Sequence, residues 1–514
     1  MLLRRWLVAP LMLIIVALVL AGSAAAHPLA QPPAPSAAST IYLPLVGGAQ
    51  LPPQPFGFDM HWWYVGPQTV SLAANAQPRW VRAADVLWSE IEPQPGQYRW
   101  DLLAAKEQSI RQLRAAGIEP VIIINRTPAW AQLVPGRVCS PPAPQHIPAL
   151  LRFLELLSAR YKDGPSAIRY WEFWNEPDRS PDNVIDSDGS GCWGSDEPTY
   201  HGGDYYGQVL AQAAPALRRG NPNAQVLGGA LLYWVDSDYT QRFLEGMLAT
   251  GGVAASDILS FHAYGEWAAA DWLVTKTNRV RAQLRRYKLD QKPLMATEVA
   301  ATCSPLVQSN CTSTFVTNDQ ANYAARIYAE ALALGLHGAF WYTLANQGAG
   351  FDQSHLVDIA SSGQPLPRPA YNAFRNSALL LQGARYIGPP VTDPTSDQSD
   401  KVQMLVFKKD SLTLFVLWVQ NTPSLDKPVL YSLGVRKGAQ ARCTTNLDGR
   451  NIDGGNDGKP YLFNCSDRNA DGVIPLAIGE LPQYVEVQDV GLAATSFDAA
   501  LQALPGQPRL QGAP

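Results

Sequence analysis

Arg169-Tyr170-Trp171-Glu172-Phe173-Trp174-Asn175-Glu176-Pro177 is the stretch that decides the fold. It opens as a buried β-strand rich in aromatic residues, the side chains that suit a pleated, packed surface. It closes on a polar pair, Asn175 and Glu176. Pro177 has no N–H for a ladder and cannot extend a helix, so the strand stops there. A carboxylate set where an apolar strand opens into a loop is where a (β/α)8 barrel keeps its chemistry. Alone, an Asn-Glu-Pro segment also reads as a solvated loop. A second glutamate in the same setting decides between the two.

That glutamate is Glu298, in Lys292-Pro-Leu-Met-Ala-Thr-Glu298-Val. Again a short apolar strand is expected to deliver a carboxylate at its C-terminal end. Two carboxyls facing one cavity are the minimal apparatus for glycosidic cleavage: one protonates the leaving oxygen, the other attacks or activates water. The arrangement resembles the retaining glycoside hydrolases of the (β/α)8 clan A. There, Asn-Glu at the end of the fourth strand carries the acid/base, and a Glu ending the seventh is the nucleophile. The resemblance puts Glu176 in the first role and Glu298 in the second. It also implies that Asn175 holds the sugar 2-hydroxyl, and that the two carboxyls lie about 5–5.5 Å apart.

Outward from these two, eight strand–helix units can be counted. Strands are expected at Phe56–His61, at Trp80-Val-Arg82-Ala, at Val121–Asn125, through the opening stretch, at Gln225–Gly229, at Ile258–Tyr264, before Glu298, and at Gly338–Thr343. Helices are expected over 102–116, 146–161, 269–287 and 318–336, from apolar residues at helical spacing. Asp101 reads as the cap of the first of these. The basic face of the 269–287 helix reads as solvated. Thr127-Pro-Ala-Trp130 after the third strand resembles glycoside hydrolase family 39, the family of β-xylosidases, α-L-iduronidase and some bacterial exopolysaccharide endoglycosidases.

The resemblance carries further residues into the site. Arg82, at a strand end, is expected to support the nucleophile, since a carboxylate that must stay ionised beside another carboxyl needs a fixed cation or donors. His262 and Tyr264 alternate onto one face and can both reach the cavity; in the clan a residue there contacts the nucleophile. Glu176 is then expected nearer aromatic surface. Trp341 fits the clan's Trp on the floor of the sugar site. Trp130 reads either as a site residue or as loop packing, and His61 as a substrate-binding position at the mouth of the first strand. Glu90 and Glu92 read as scaffold. Arg126 is one cation for a uronic-acid substrate, and too little by itself.

Length and composition set the frame. A chain of 514 residues exceeds one ordinary core and has room for a barrel of roughly 300 residues and a smaller domain. A net charge of −4 with both signs scattered gives no reason to expect a nucleic-acid partner. Residues 1–26 read as a signal peptide: Arg4-Arg5, an apolar run, then small residues ending at Ala26. An uncleaved anchor is the alternative. Residues 27–53, rich in Pro, Ala and Ser, read as a linker, 54–383 as the catalytic barrel, 384–492 as a small antiparallel β-sandwich domain and 493–514 as a loose tail.

Six cysteines agree with an oxidising compartment. Spacing favours Cys303–Cys311 and Cys443–Cys465, which leaves Cys139 and Cys192 as partners. Asp186-Ser-Asp188-Gly lacks the further ligands of a calcium loop. Asp467-Arg-Asn469-Ala-Asp471-Gly472 copies the front of such a loop, but its twelfth position is Ile478 rather than Glu. No metal or cofactor is expected. The expectation is therefore an α/β chain, a TIM barrel followed by a β-sandwich. It is expected to act as a secreted retaining glycosidase on a carbohydrate substrate, with no stable membrane insertion after signal cleavage. The rival from another class is a carbohydrate-binding barrel that has lost catalysis, which would call for one carboxylate to be missing.

Overall fold

The computed structural model describes residues 54–60, 67–183, 191–266, 272–302, 318–346, 353–389, 402–419, 428–449 and 458–488. The signal peptide, the linker and the tail lie outside these residues. So do His61, the Cys303–Cys311 pair and Asp186–Asp188.

Eight parallel strands close into a barrel: β1 Phe56–Asp59, β2 Trp80–Leu87, β3 Glu119–Asn125, β4 Tyr170–Phe173, β5 Gln225–Leu231, β6 Ile258–Glu266, β7 Leu294–Thr302 and β8 Gly338–Tyr342. β8 pairs with β1 to complete the ring, Trp341 opposite Phe58. The helices are α1 Pro67–Ala76, the single turn α2 Trp88–Ile91, α3 Ala104–Ala115, α4 Ile147–Arg160, α5 Gly203–Gly220, α6 Asp238–Ala249, the single turn α7 Gly252–Ala255, α8 Trp272–Arg286, α9 Gln320–Ala333 and α10 Pro369–Leu381. None of the described helices is long and apolar enough to cross a membrane.

The strand sequences explain the layering. A parallel sheet covered by helices is buried on both faces, so its strands are almost wholly apolar, as in Val121-Ile-Ile-Ile124. Alternation then sorts the faces. On β1, Phe56 and Phe58 point outward, stacking on Tyr328 of α9 at 5.3 Å and Phe374 of α10 at 4.1 Å. Trp80, Val121, Leu227, Ile258, Met295 and Phe340 point inward and fill the lower barrel. Gly57 is required between them, because a Cβ there would stand 3.1 Å from both Phe340 and Trp80.

Three expectations change. Asp101 does not cap α3: it lies inside a 3-10 turn, Trp100–Leu103, and no side chain caps either element. Glu298 does not end its strand, because β7 runs on to Thr302. It sits at a bulge between Ala296 and Val299, opposite His262, and bulges re-aim side chains beside active sites. Lys276, on the face of α8 read as solvated, is buried. In α5, which the sequence does not signal, Gly203, Gly207 and Pro215 read as breakers. The two inner glycines let it approach α6 backbone closely, since a Cβ would collide with Phe243 or Met247.

After β8, three short strands, β9 Ala345–Asn346, β10 Val357–Ile359 and β11 Pro365–Pro367, form a small sheet. The chain then builds β12 Arg385–Tyr386, β13 Val402–Lys409, β14 Leu412–Val419, β15 Val429–Gly434, β16 Ala441–Thr445, β17 Tyr461–Asn464, β18 Val473–Ile478 and β19 Gln483–Gln488. Six of these pair in the order β12-β13-β14-β19-β16-β17, and β15 with β18 makes a second layer. Alternation divides the large sheet. Phe407, Leu414, Val416, Trp418 and Tyr484 join the barrel's core. Leu417, Val419, Cys443, Val485 and Val487 pack on Leu433, Ile474, Leu476 and Ile478 of the second layer. The Tyr484 hydroxyl donates to the Ala325 carbonyl of α9 at 2.8 Å. Asp467 spends its carboxylate on the N–H groups of Gly438, Asp471 and Gly472, at 2.8, 3.2 and 2.9 Å, so the segment that copies a calcium loop is held as a turn.

Candidate active site

Alternation brings a ring of polar side chains to the upper barrel, one layer above the apolar plug. Arg82 follows Trp80 by two residues on the inner face of β2, and it is 2 % exposed. Its guanidinium is almost fully engaged. Nε donates to Glu172 Oε2 at 2.7 Å, Nη1 to Asp59 Oδ2 at 3.0 Å and to Glu298 Oε1 at 2.5 Å, and Nη2 to Asn175 Oδ1 at 2.7 Å. A buried cation with this many carboxylate partners stays charged, and its pKa is driven further up by Glu172, Glu298 and Asp59 against the cost of burial.

Glu298 is clamped from both sides. Arg82 takes Oε1, and the Tyr264 hydroxyl donates to Oε2. His262 bridges the two glutamates, its Nδ1 2.8 Å from Glu176 Oε1 and 3.3 Å from Glu298 Oε2. Burial lowers the His262 pKa to about 4, so the bridging ring is neutral at ordinary pH.

Glu176 sits in a tight turn, at φ 46°. Its N–H donates to the Ala230 carbonyl of β5 at 3.0 Å. Arg179 comes back three residues and donates from Nε to Oε2 at 2.6 Å. Asp178, fully buried between them, accepts the N–H groups of Leu232 and Tyr233 at 2.9 Å each. The sequence put aromatic surface beside Glu176; the structure puts a second guanidinium there. Burial pushes both glutamates above the usual carboxylate range, with Arg179 opposing it at Glu176 and Arg82 opposing it at Glu298.

Glu176, His262 and Glu298 each offer an atom to a common point, all within 4.8 Å of one another. Among the described residues they are the group with the donor set for a metal ion. Their oxygens, however, already serve Arg179, Arg82, Tyr264 and His262. The set is a hydrogen-bonded pair of carboxyls sharing a neutral imidazole, suited to moving a proton and holding a charge.

The remaining expected residues divide. Asn175 is half-buried at the mouth, with its carbonyl oxygen held by Arg82. Trp130 packs edge-on against Trp88 and His146, at 5.6 and 5.4 Å, and its indole N–H donates to the Glu92 carbonyl at 3.1 Å. Glu92 in turn accepts Trp88 Nε1 at 2.7 Å and the Gly96 N–H at 2.8 Å, a scaffold role. Trp341 corrects an expectation. It is fully buried on the outer face of β8, against Tyr323 of α9, with its N–H on the Ser354 carbonyl at 2.7 Å. Phe340 and Tyr342 take the inner face, and Tyr342 stands edge-on to Tyr264 at 6.0 Å. Glu298 and Asp59 help push the Tyr342 pKa up, after burial, because the ring lies near both.

Asp59, Glu172, Arg179 and Lys276 were not singled out from the sequence. Glu172 carried a signal: a carboxylate inside an aromatic strand must find a cation. Arg179 and Lys276 carried none, because only the folded turn after β4 brings Arg179 back to Glu176 and only the packing of α8 carries Lys276 to the Leu232 and His262 carbonyls. A disulfide, Cys139–Cys192, joins the loop after β3 to the loop after β4, and a second, Cys443–Cys465, ties β16 to the end of β17 in the six-stranded sheet.

No family model matches the chain, and no curated protein matches it in sequence. Solved structures do resemble it. A family 39 glycoside hydrolase from Bacteroides cellulosilyticus shares 18% identity, with a TM-score of 0.57 over 85% of this chain and 81% of that one. A GH30 endoxylanase from Clostridium papyrosolvens shares 13% identity, with a TM-score of 0.56 over 86% and 98%. A family 51 alpha-L-arabinofuranosidase from Bifidobacterium longum shares 11% identity, with a TM-score of 0.56 over 85% and 96%. At these identities the likeness establishes a common fold.

Proposed function

We propose that this chain is an exported retaining glycosidase, of the family 39 kind, that cleaves β-linked oligo- or polysaccharides. The observation that carries the reading is the Glu176–Glu298 pair, two buried carboxyls whose oxygens come within 4.8 Å around His262. Oxygens that approach this closely support the short separation of a retaining pair, about 5–5.5 Å between carboxyls, over the roughly 6.5–9.5 Å that leaves room for an attacking water.

In the first step the Glu298 carboxylate attacks the anomeric carbon. The bond to the leaving oxygen breaks, and Glu176 gives that oxygen its proton. In the second step Glu176 takes a proton from water, whose oxygen displaces Glu298 from the anomeric carbon. Arg82 and Tyr264 favour the ionised form of Glu298 and fix its orientation. Two adjacent carboxyls cannot both ionise at low cost, so a single proton on Glu176 suits the pair. Asn175, its oxygen engaged by Arg82, presents its amide nitrogen to the sugar 2-hydroxyl, a bond that strengthens in the transition state.

The test is hydrolysis of aryl β-glycosides and β-linked polysaccharides by the full chain, with the first-formed anomer read by NMR. A β-product supports the reading. An α-product, or no hydrolysis across the panel, would overturn it. Export is supported by the described disulfides, which persist in oxidising compartments. N-terminal sequencing of protein recovered from the medium checks whether cleavage follows Ala26.

A further inference from the structure

Trp234 is out of keeping with the other described tryptophans. They are buried or half-buried, whereas Trp234 is 51% exposed. It lies on the short loop between β5 and α6. Exposing a large indole forgoes a large hydrophobic gain, and nothing about this loop is loose. The Trp234 carbonyl accepts the Ser237 N–H and the Thr240 hydroxyl, both at 3.0 Å. Its ring lies over the Lys276 ammonium, 5.4 Å from Nζ. That ammonium is itself buried and bound to the carbonyls of Leu232 and His262, at 2.7 and 2.8 Å.

The loop is also tied to the acid. Asp178, two residues beyond Glu176, holds the N–H groups of Leu232 and Tyr233, the residues just before Trp234. The Glu176 N–H holds Ala230. Ala230 and Tyr233 adopt φ 45° and 44°, left-handed values that non-glycine residues rarely take and that the surrounding bonds must maintain. Glu176 and the backbone leading into Trp234 therefore belong to one hydrogen-bonded unit, in which strained backbone fixes the loop that carries the exposed ring.

We propose that Trp234 is the stacking platform for the sugar ring of the leaving group: a pyranose whose apolar C–H face lies on the indole while Glu176 protonates the oxygen that links it to the cleaved residue. The inference rests on the glycosidase reading above. It adds where the leaving saccharide is recognised: on the loop hydrogen-bonded to Glu176 and Asp178. A ring already immobilised on Lys276 loses little freedom when a sugar binds, so most of the stacking gain appears as affinity.

The experiment compares two substrates in one enzyme: a β-linked oligosaccharide that the wild type cleaves, and the glycosyl fluoride of the same sugar, whose leaving group has no ring. In Trp234→Ala, the ratio of kcat/KM for oligosaccharide over fluoride is expected to fall about tenfold or more, and Trp234→Phe to restore most of it. With the fluoride as donor, transfer to an added acceptor saccharide should need a higher acceptor concentration in Trp234→Ala. Partial misfolding lowers both rates alike and leaves the ratio unmoved. An unchanged ratio together with unchanged acceptor dependence overturns the proposal. If the wild type cleaves neither substrate, it is the glycosidase reading that fails.

Discussion

Arg179 grips Glu176 from three residues along the chain, its Nε 2.6 Å from Oε2, within a turn closed by the Arg179 N–H on the Glu176 carbonyl at 3.2 Å. The guanidinium favours the ionised acid, against the burial that favours the protonated one. In the role proposed for it, Glu176 must carry a proton, so the basic limb of kcat/KM reports loss of that proton from the coupled pair. In Arg179→Met that limb is expected to move to higher pH, while the acidic limb moves less. A basic limb that stays put, or moves down, would show that Arg179 does not govern this proton.

The two glutamates separate by rescue chemistry. Glu298→Gly is expected to lose nearly all turnover, and azide to restore cleavage of an activated glycoside with an inverted product. Glu176→Ala should lose about 100- to 10,000-fold on substrates with poor leaving groups and much less on activated ones. Azide should then speed release of the glycosyl-enzyme with retained configuration. The opposite stereochemical pattern would exchange the two roles.

Asp59 gives a pH-linked stability test. Burial lifts its pKa from 3.8 to about 7 even with Arg82 3.0 Å away. Between those values the folded chain holds a proton that the unfolded chain has lost. The stability this group contributes is therefore complete below about pH 4 and disappears as pH rises through about 7. Thermal melts should show wild type losing ground to Asp59→Asn across that window. Parallel curves would mean that Asp59 is ionised throughout.

The inner and outer faces of β8 make separate forecasts. Trp341→Ala should lower stability by about 3–5 kcal/mol, the usual cost of emptying a large core site. Tyr342→Phe should leave melting nearly unchanged and lower kcat/KM, since its hydroxyl lies near enough to Glu298 and Asp59 to feel both charges. Equal stability with impaired turnover in the Trp341 variant would reverse the assignment of faces.

The barrel was legible because each strand is a short apolar run bounded by polar or Gly/Pro residues, and because Glu176 and Glu298 both interrupt such runs. The phase of β8 was not. One residue's shift exchanges Trp341 for Tyr342, and only the pairing of Phe340 with the lower core fixes it. Asp59 was hidden at the end of a strand sequence that reads as core, whereas Glu172, a carboxylate inside an aromatic strand, announced the need for a cation without naming it. Arg82 was legible as a cation at a strand end, but its four partners lie 23 to 216 residues away and emerge only when the ring closes. Lys276 looked like part of a solvated basic face because helical spacing in α8 does not reveal how deeply β5 and β6 draw that helix in.

The six-stranded sheet lends one face to the barrel and the other to β15 and β18. The sheet is therefore not a separable module. A chain cut after α10 would leave Ala325 and the neighbouring surface of α9 without Tyr484 and its sheet. It would gain an apolar patch of the kind that drives aggregation. Unfolding of the barrel and of its C-terminal sheet should accordingly run as one cooperative event, and transplanting the barrel alone into another protein would require its α9–α10 flank to be redesigned.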